Sequence, residues 1–333
     1  MKSVYIQMPP AGVEPSPLLR QSPGGDGIWK GYQFYINEVP DSCDYLVAFA
    51  GHRGVTQLPL AKEQTLFIAG EPPSIKKYAD PYLAQFGGVI SSDAEINHPR
   101  SILAQQGHPW FCGRKFIASG KGIPVKGYDD YVEESSIPKT KLMSVVCSDK
   151  QTRPGHRKRF EFVQRLKAVF GDDLDLFGTG QNLIEDKADA IRPYQYHIAI
   201  ENSAYPHYWT EKLSDCYLEG AYPFYAGCPN IGDYFSDDAY VAINLDDLDA
   251  SVEVIRAVIK RNQYQQSIQT LHKAKLQVLN EYNFFNVIAE YFDAMSIPED
   301  KKKGGRFTAY PSKYFRKGVF YQAAFRIGCF LSR

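Results

Sequence analysis

The stretch from Glu201 to Gly227 reads ENSAYPHYWTEKLSDCYLEGAYPFYAG, and it constrains the local fold more than any other part of the chain. The His197-Ile198-Ala199-Ile200 run just before it has the character of a buried strand, and Leu213, Cys216 and Tyr217 recur at helical spacing. Thr210 is placed to cap the helix, Gly220 stands where a left-handed C-terminal residue is wanted, and Pro223 follows shortly after. The expected order is strand, loop, helix, with the helix beginning at Glu211-Lys212. Its free N–H groups and positive dipole end then face the loop that carries Glu201, Asn202 and Tyr208, a setting suited to an anionic phosphate. Lys212 adds a full positive charge there. Taken alone, Thr-Glu-Lys is also an ordinary helix start with a solvated Glu–Lys pair.

The rest of the chain reads as two α/β units. Val4–Met8, Tyr45–Ala50, Thr65–Ala69 and Gly88–Ile90 are short apolar runs separated by loops and helical stretches, which favours parallel pairing. Lys121 to Lys141 is polar, with Pro124, Pro138 and four acids between Asp129 and Glu134, and reads as the connection between units. A second unit follows. Leu142–Cys147 reads as a strand, Arg159–Phe170 as a helix with apolar Phe160, Val163, Leu166, Val169 and Phe170, and Leu174–Phe177 as a strand ending in Gly178-Thr179-Gly180. Tyr240–Ile243 is a further strand, and a long helix is expected from about Leu248 to Leu279. The expected division is 1–140, 141–300 and a tail of 301–333.

At the start of the first of those helices, His156, Arg157, Lys158 and Arg159 place four potential cations in a row. Positive charge is unfavourable at a helix N-terminus unless an anion sits there. Glu71 in Gly70-Glu71-Pro72-Pro73 follows a buried strand directly, where α/β sheets present ligand-facing groups. It is read either as a functional acid or as a turn carboxylate capping Ser74.

The extended pattern of the first block closely resembles the donor-sugar motif of the α1,3-fucosyltransferases, glycosyltransferase family 10. That motif runs ENS, a short loop, Y-x-TEK, a helix, then G-x-x-P-x-x-x-G; here these are Glu201-Asn202-Ser203, Tyr208, Thr210-Glu211-Lys212, Gly220, Pro223 and Gly227. The resemblance implies a GT-B architecture, two Rossmann-like domains facing each other across a cleft, and an inverting, metal-independent transfer of fucose from GDP-fucose. Arg159-x-x-Phe162 with Leu166 is similar to the family's R-x-x-[YF]-x-x-x-L, whose arginine contacts the donor pyrophosphate. Tyr208 and Glu211 resemble the residues that hold the ribose, and Asn202 and Lys212 those near the diphosphate, with Glu201 in the same motif and Gly178 offering close backbone approach. Glu71 resembles the acidic element that supplies the general base, although Pro72-Pro73 departs from the family's pattern. The acceptor so implied is a hydroxyl of a surface-glycan or lipopolysaccharide oligosaccharide. Another nucleotide sugar, or a non-catalytic binding protein on the same fold, remains the alternative.

Other chemistries find little support. Asp173-Leu174-Asp175 and Asp247-Leu248-Asp249 match the Asp-x-Asp pattern of metal-dependent transferases but read more simply as turn and cap acids, so no metal is expected. No complete G-x-G-x-x-G or G-x-S-x-G occurs, and no cofactor is expected. Cysteines 43, 112, 147, 216, 228 and 329 show neither C-x-x-C nor zinc spacing, which suits a reducing compartment. With no signal peptide or run of ~20 apolar residues, the expected location is the bacterial cytoplasm. The last 33 residues carry nine Lys or Arg and no acid, against 29 basic and 38 acidic residues before them. A uniformly basic nucleic-acid binder would look different. The tail interleaves Tyr314, Phe315, Phe320, Tyr321, Phe325 and Phe330 with cations, so a basic aromatic helix from about Ser312 to Leu331 either lies on the inner, anionic membrane face, packs on the first domain, or is loose.

Overall fold

Runs such as Tyr45-Leu-Val-Ala-Phe49 and Thr65-Leu-Phe-Ile68 are buried along their whole length, the signature of strands covered on both faces. They sit in the larger of the two main sheets. The computed structural model describes residues 1–8, 16–52, 54–116, 122–149, 154–295 and 305–316, and it divides into two units. The first unit holds β1 (Lys2–Gln7), β2 (Ile28–Trp29), β3 (Tyr32–Ile36), β4 (Tyr45–Phe49), β5 (Thr56–Leu58), β6 (Thr65–Ile68), β7 (Gly88–Ser91) and β8 (Ser101–Leu103). Seven of these form one sheet in the order β2-β3-β1-β4-β6-β7-β8, parallel except for the short β2–β3 pairing. The runs at 4–8, 45–50, 65–69 and 88–90 are therefore strands as expected, each within two residues of its expected ends.

The second unit holds a small hairpin, β9 (Arg114–Phe116) with β10 (Gly122–Pro124), and a five-stranded sheet. That sheet comprises β11 (Lys141–Val146), β12 (Leu174–Phe177), β13 (Tyr194–Ile200), β14 (Tyr222–Ala226) and β15 (Val241–Ala242), all parallel, in the order β12-β11-β13-β14-β15. The chain reverses its direction of travel across the sheet between β11 and β13. In doubly wound sheets, ligands bind outside the carboxyl ends of the strands at such a switch point.

The chain crosses between units more often than the expected division at 140 and 300 allows. Residues 107–140 cluster with the second unit and those from Phe285 onward with the first. The expected linker is no linker: Tyr128–Glu133 is a helix whose Tyr131 is fully buried beside Trp110 in the second core. The helix Phe284–Ala294 serves the first unit, where Phe285 packs on Phe34, Phe292 stacks on Tyr45, and the Trp29 indole donates to Asn286.

Two helices differ from expectation in instructive ways. Pro154–Phe170 begins five residues earlier than the apolar pattern showed, because a proline at the first turn and small Gly155 need no apolar contact. Phe162, Val163 and Leu166 are its buried face, whereas Val169 is exposed. The single helix expected over 248–279 is broken into Leu248–Lys260, Gln263–Gln266 and Ile268–Asn280, with Asn262 in the left-handed region (φ 53°) at the first break. In the tail, β16 (Phe307–Ala309) pairs antiparallel with β5, Tyr314 is buried, and Phe315 meets Tyr82 edge-on. This stretch packs on the first unit. Lys301–Lys303 and the remainder of the expected tail helix, 317–333, lie outside the described residues.

Candidate donor-binding site

The site is built where β13 ends. Glu201 continues the ladder by donating its N–H to the Ala226 carbonyl (2.8 Å), then turns its buried carboxylate back on the helix that follows. The Thr210 N–H and Thr210 hydroxyl both donate to it at 2.8 Å, and the Lys212 ammonium lies 3.4 Å away. Thr210 has spent its hydroxyl proton, so its Oγ1 accepts from the Lys212 N–H (3.4 Å) and Nζ (3.0 Å), capping the helix Glu211–Leu218 as expected. Glu201 therefore clamps the loop shut, bracing the site from behind. The motif glycine, Gly227, is explained by the same side chain: a Cβ there would stand 2.4 Å from the Glu201 Cγ.

Arg159 comes from the other side. Gly155 lies so close to the Asn202 carbonyl that a Cβ would approach it to 2.5 Å, which brings the first turn of Pro154–Phe170 against the motif loop. One turn on, the Arg159 Nη1 donates to the Asn202 Oδ1 at 2.7 Å. Asn202 is neutral. Arg159 is 9 % exposed, and its Nε has no hydrogen-bond partner among the described residues. The row of four cations does not converge, because helical spacing fans it out: Lys158 pairs with Asp246 while Arg159 turns inward.

Between these elements lies a cavity of about 210 Å³ at the carboxyl ends of β11 and β13, lined by Arg159, Lys187, His197, Glu211, Lys212 and Phe111 among others. Lys187 pairs with the fully buried Asp215 (2.9 Å) and donates to the Glu211 carbonyl (3.3 Å). Burial works to raise the Glu211 pKa, but Lys212, Lys187 and His108 outweigh it and hold the carboxyl down at about 2. Lys212 is raised: burial opposes its charge, and Glu211 and Glu201 more than offset that. Burial also lowers His108 to about 4. At neutral pH the site thus presents an anionic Glu211, a cationic Lys212 and a neutral His108.

The structure brings Arg159, Glu211 and Lys212 to one cavity, as the sequence pattern indicates. Asn202 and Glu201 act one layer out, on Arg159 and on Thr210-Lys212. Tyr208 is buried with its ring edge-on to His108. Gly178 serves packing: at φ 122° its Cα sits where a Cβ would meet the Cys147 carbonyl at 2.5 Å, and it is not among the described residues lining the cavity. Gly180 likewise clears Asp149. Asp247 caps Leu248–Lys260 by accepting from the Ala250 N–H, and Asp175 accepts from Tyr194 (2.6 Å) and Lys141 (2.9 Å), so both Asp-x-Asp matches have structural duties. Glu71 stands in the first unit, just past β6 and after Gly70, whose N–H donates to Gln106. Lys187, Phe111 and His197 were not legible as site residues. Lys187 and Phe111 arrive from segments with no motif, and His197 reads only as part of a buried strand.

Residues 137–283, which carry this site apart from Phe111 and His108, match the family model described as glycosyltransferase family 10 (fucosyltransferase) C-term. This segment belongs to glycosyltransferase family 10. The chain is accordingly a glycosyltransferase. No curated protein matches it. Among solved structures, an α1,3-fucosyltransferase is similar with a TM-score of 0.52 at 16 % identity, over 91 % of this chain and 93 % of that one. The structure of an α1,3-fucosyltransferase with GDP-fucose gives a TM-score of 0.51 at 15 % identity, covering 90 % of this chain and 91 % of that one. At such identities the likeness speaks to fold, and that fold is GT-B.

Proposed function

We propose that this transferase moves fucose from GDP-fucose to a hydroxyl of a surface-glycan or lipopolysaccharide oligosaccharide, with inversion and without a metal ion. One observation carries the donor side: a buried guanidinium, Arg159, lines the cavity with a neutral partner and an unmet Nε–H. Such a group asks for an anion. A nucleoside diphosphate supplies it, and the similar α1,3-fucosyltransferases include structures with GDP-fucose and with GDP.

In the proposed step the acceptor hydroxyl attacks the anomeric carbon, its proton passes to Glu71, and the bond from that carbon to the diphosphate oxygen breaks. The diphosphate leaves with the electron pair. Arg159 and Lys212 stabilise the charge that develops on it, the electrostatic role expected of cations around a leaving phosphate. Glu201 and Thr210 fix Lys212, Asn202 fixes Arg159, and the anionic Glu211 can accept from a ribose hydroxyl, with Tyr208 beside it. The tail beyond residue 316, rich in Lys, Arg, Tyr and Phe, is assigned to contact with an anionic membrane face. Among the described residues, no helix is long and apolar enough to cross a membrane.

Thermal unfolding with GDP-fucose, GDP-mannose, UDP-galactose and UDP-GlcNAc, without added metal, tests the donor, since a ligand of the folded state raises the melting temperature. Selective stabilisation by GDP and GDP-fucose supports the reading. Selective stabilisation by a uridine sugar changes the donor, and no response to any favours a non-catalytic role. Replacing Glu71 with Gln should abolish transfer and leave GDP affinity nearly intact; undiminished turnover removes Glu71 from the mechanism.

A further inference from the structure

One residue of the cavity has no part in the account above. His197 lies at the middle of β13, 2 % exposed, opposite Ser144 of β11, and it lines the cavity. Its protonation follows from counting donors. The Ser144 Oγ is 2.5 Å from the Ala190 carbonyl oxygen and 2.8 Å from the His197 Nδ1. A carbonyl only accepts, so the single hydroxyl proton of Ser144 goes to Ala190, and the Nδ1 must be the donor in the second contact. The ring is also kept neutral, because burial, Lys187 and Lys139 all disfavour its charge. A neutral imidazole with its proton on Nδ1 carries a lone pair on Nε2. That Nε2 has no partner among the described residues, and with Nδ1 turned to Ser144 it is the edge left for the cavity.

The rest of the cavity cannot use such a group. Phosphate oxygens accept hydrogen bonds and are matched by Arg159, Lys187 and Lys212; a lone pair repels them. An acceptor set among cations is of use only to the part of a ligand that donates. We propose that His197 is a specificity-determining residue, whose Nε2 accepts a hydrogen bond from the nucleoside part of the donor, and that Ser144 and the Ala190 carbonyl hold it in that tautomer. This rests on the nucleotide-donor reading of the site. Two nucleoside groups have the required chemistry, the ribose 2′-hydroxyl and the 2-amine of the base, and binding of analogues separates them.

The test is calorimetric binding of GDP, 2′-deoxy-GDP, IDP and inorganic pyrophosphate to wild type, His197→Phe and Ser144→Ala, with the histidine ¹⁵N–¹H spectrum of the wild type and of Ser144→Ala. His197→Phe should weaken GDP roughly tenfold, the cost of leaving a buried donor unmet, and leave pyrophosphate unchanged. If the ribose 2′-hydroxyl is the donor, His197→Phe abolishes the preference for GDP over 2′-deoxy-GDP; if the base amine is, it abolishes the preference over IDP. The wild-type spectrum should show a proton on Nδ1 and an Nε2 resonance that moves on adding GDP. Ser144→Ala should release the proton to exchange between the two nitrogens and weaken GDP by a smaller factor. A wild-type proton on Nε2, an Nε2 resonance indifferent to bound GDP, or an equal loss of pyrophosphate affinity in His197→Phe overturns the inference alone. Failure of wild type to bind both GDP and pyrophosphate overturns the nucleotide reading and this inference with it.

Discussion

The two ends of the second unit's sheet are both rich in buried charge, yet they are chemically unlike. At the amino ends of β11, β13 and β14, Arg192 bonds both Glu134 and Glu219 (3.0 Å to the latter), and Lys126 also reaches Glu134. Tyr131 donates to Glu219 at 2.6 Å, and Lys139 donates to the Arg192 and Glu219 carbonyls. Each of these charges is answered within the protein. At the carboxyl ends, Lys212 and Lys187 are answered by acids, but Arg159 retains an unmet N–H and His197 an unmet lone pair. Cavity size does not separate the ends, since a second cavity of about 210 Å³ lies beside Glu134, Gly220 and Lys275. The exceptions at that end are the Tyr217 hydroxyl and the Arg20 Nε–H, the other Arg20 donors meeting the Trp110, Cys112 and Lys126 carbonyls; Arg20 does not line that cavity. The contrast teaches that buried charge by itself marks structure, and that a cation with an unmet donor in a cavity wall marks a candidate site.

The sharpest way to break this contrast is Arg159→Ala. Transfer should fall by about 10²–10³-fold, the usual loss when one electrostatic stabiliser of a developing anion is removed, while Arg159→Lys recovers part of it. Steady-state kinetics giving less than a tenfold loss would mean the open end is no anion site. Next in size is Glu219→Gln at the closed end, which leaves the Arg192 charge half answered and should lower stability by about 3 kcal/mol in urea titration. Catalytic turnover of the folded variant should stay close to wild type. A variant that keeps its stability but loses turnover reverses the assignment of the two ends.

The pH dependence distinguishes the ends more gently. Burial lowers Lys139 to about 7, so between about 7 and its ordinary value the unfolded chain binds the extra proton and stability rises with pH. Lys139→Met should remove that alkaline slope. Burial likewise lowers His108 at the open end to about 4, so stability declines as pH falls from about 6.5 toward 4. Glu211 is depressed, so its contribution is present above about 4.5 and is lost as pH falls toward 2. The smallest effect is expected for Lys158→Ala, whose pairing with the exposed Asp246 is worth less than about 1 kcal/mol. A large loss of donor affinity in that variant would return Lys158 to the site.

The features that could be read from the sequence are local. The strand before Glu201, the Thr210 cap, the helix with Leu213, Cys216 and Tyr217 inward, and the turn at Gly220 (φ 64°) follow from spacing and from residues with one favoured conformation, so they stand in the structure as read. The same holds for the apolar runs of β4, β6 and β7. Which distant segments join them is fixed by long-range packing. Tyr131 lies in a stretch with the composition of a linker, yet its burial depends on Glu219, 88 positions away, meeting its hydroxyl. Lys187 enters the site because Asp215 lies 28 positions further on, and Arg159 because Gly155 fits against Asn202. β16 shows the same thing at the end of the chain, where Phe307–Ala309 pairs with Thr56–Leu58. Local conformation is governed by torsional preference, capping and periodicity, all written within a few residues. Whether a buried charge finds its counterpart depends on contacts across tens or hundreds of residues, and that accounting is closed only once the chain has folded.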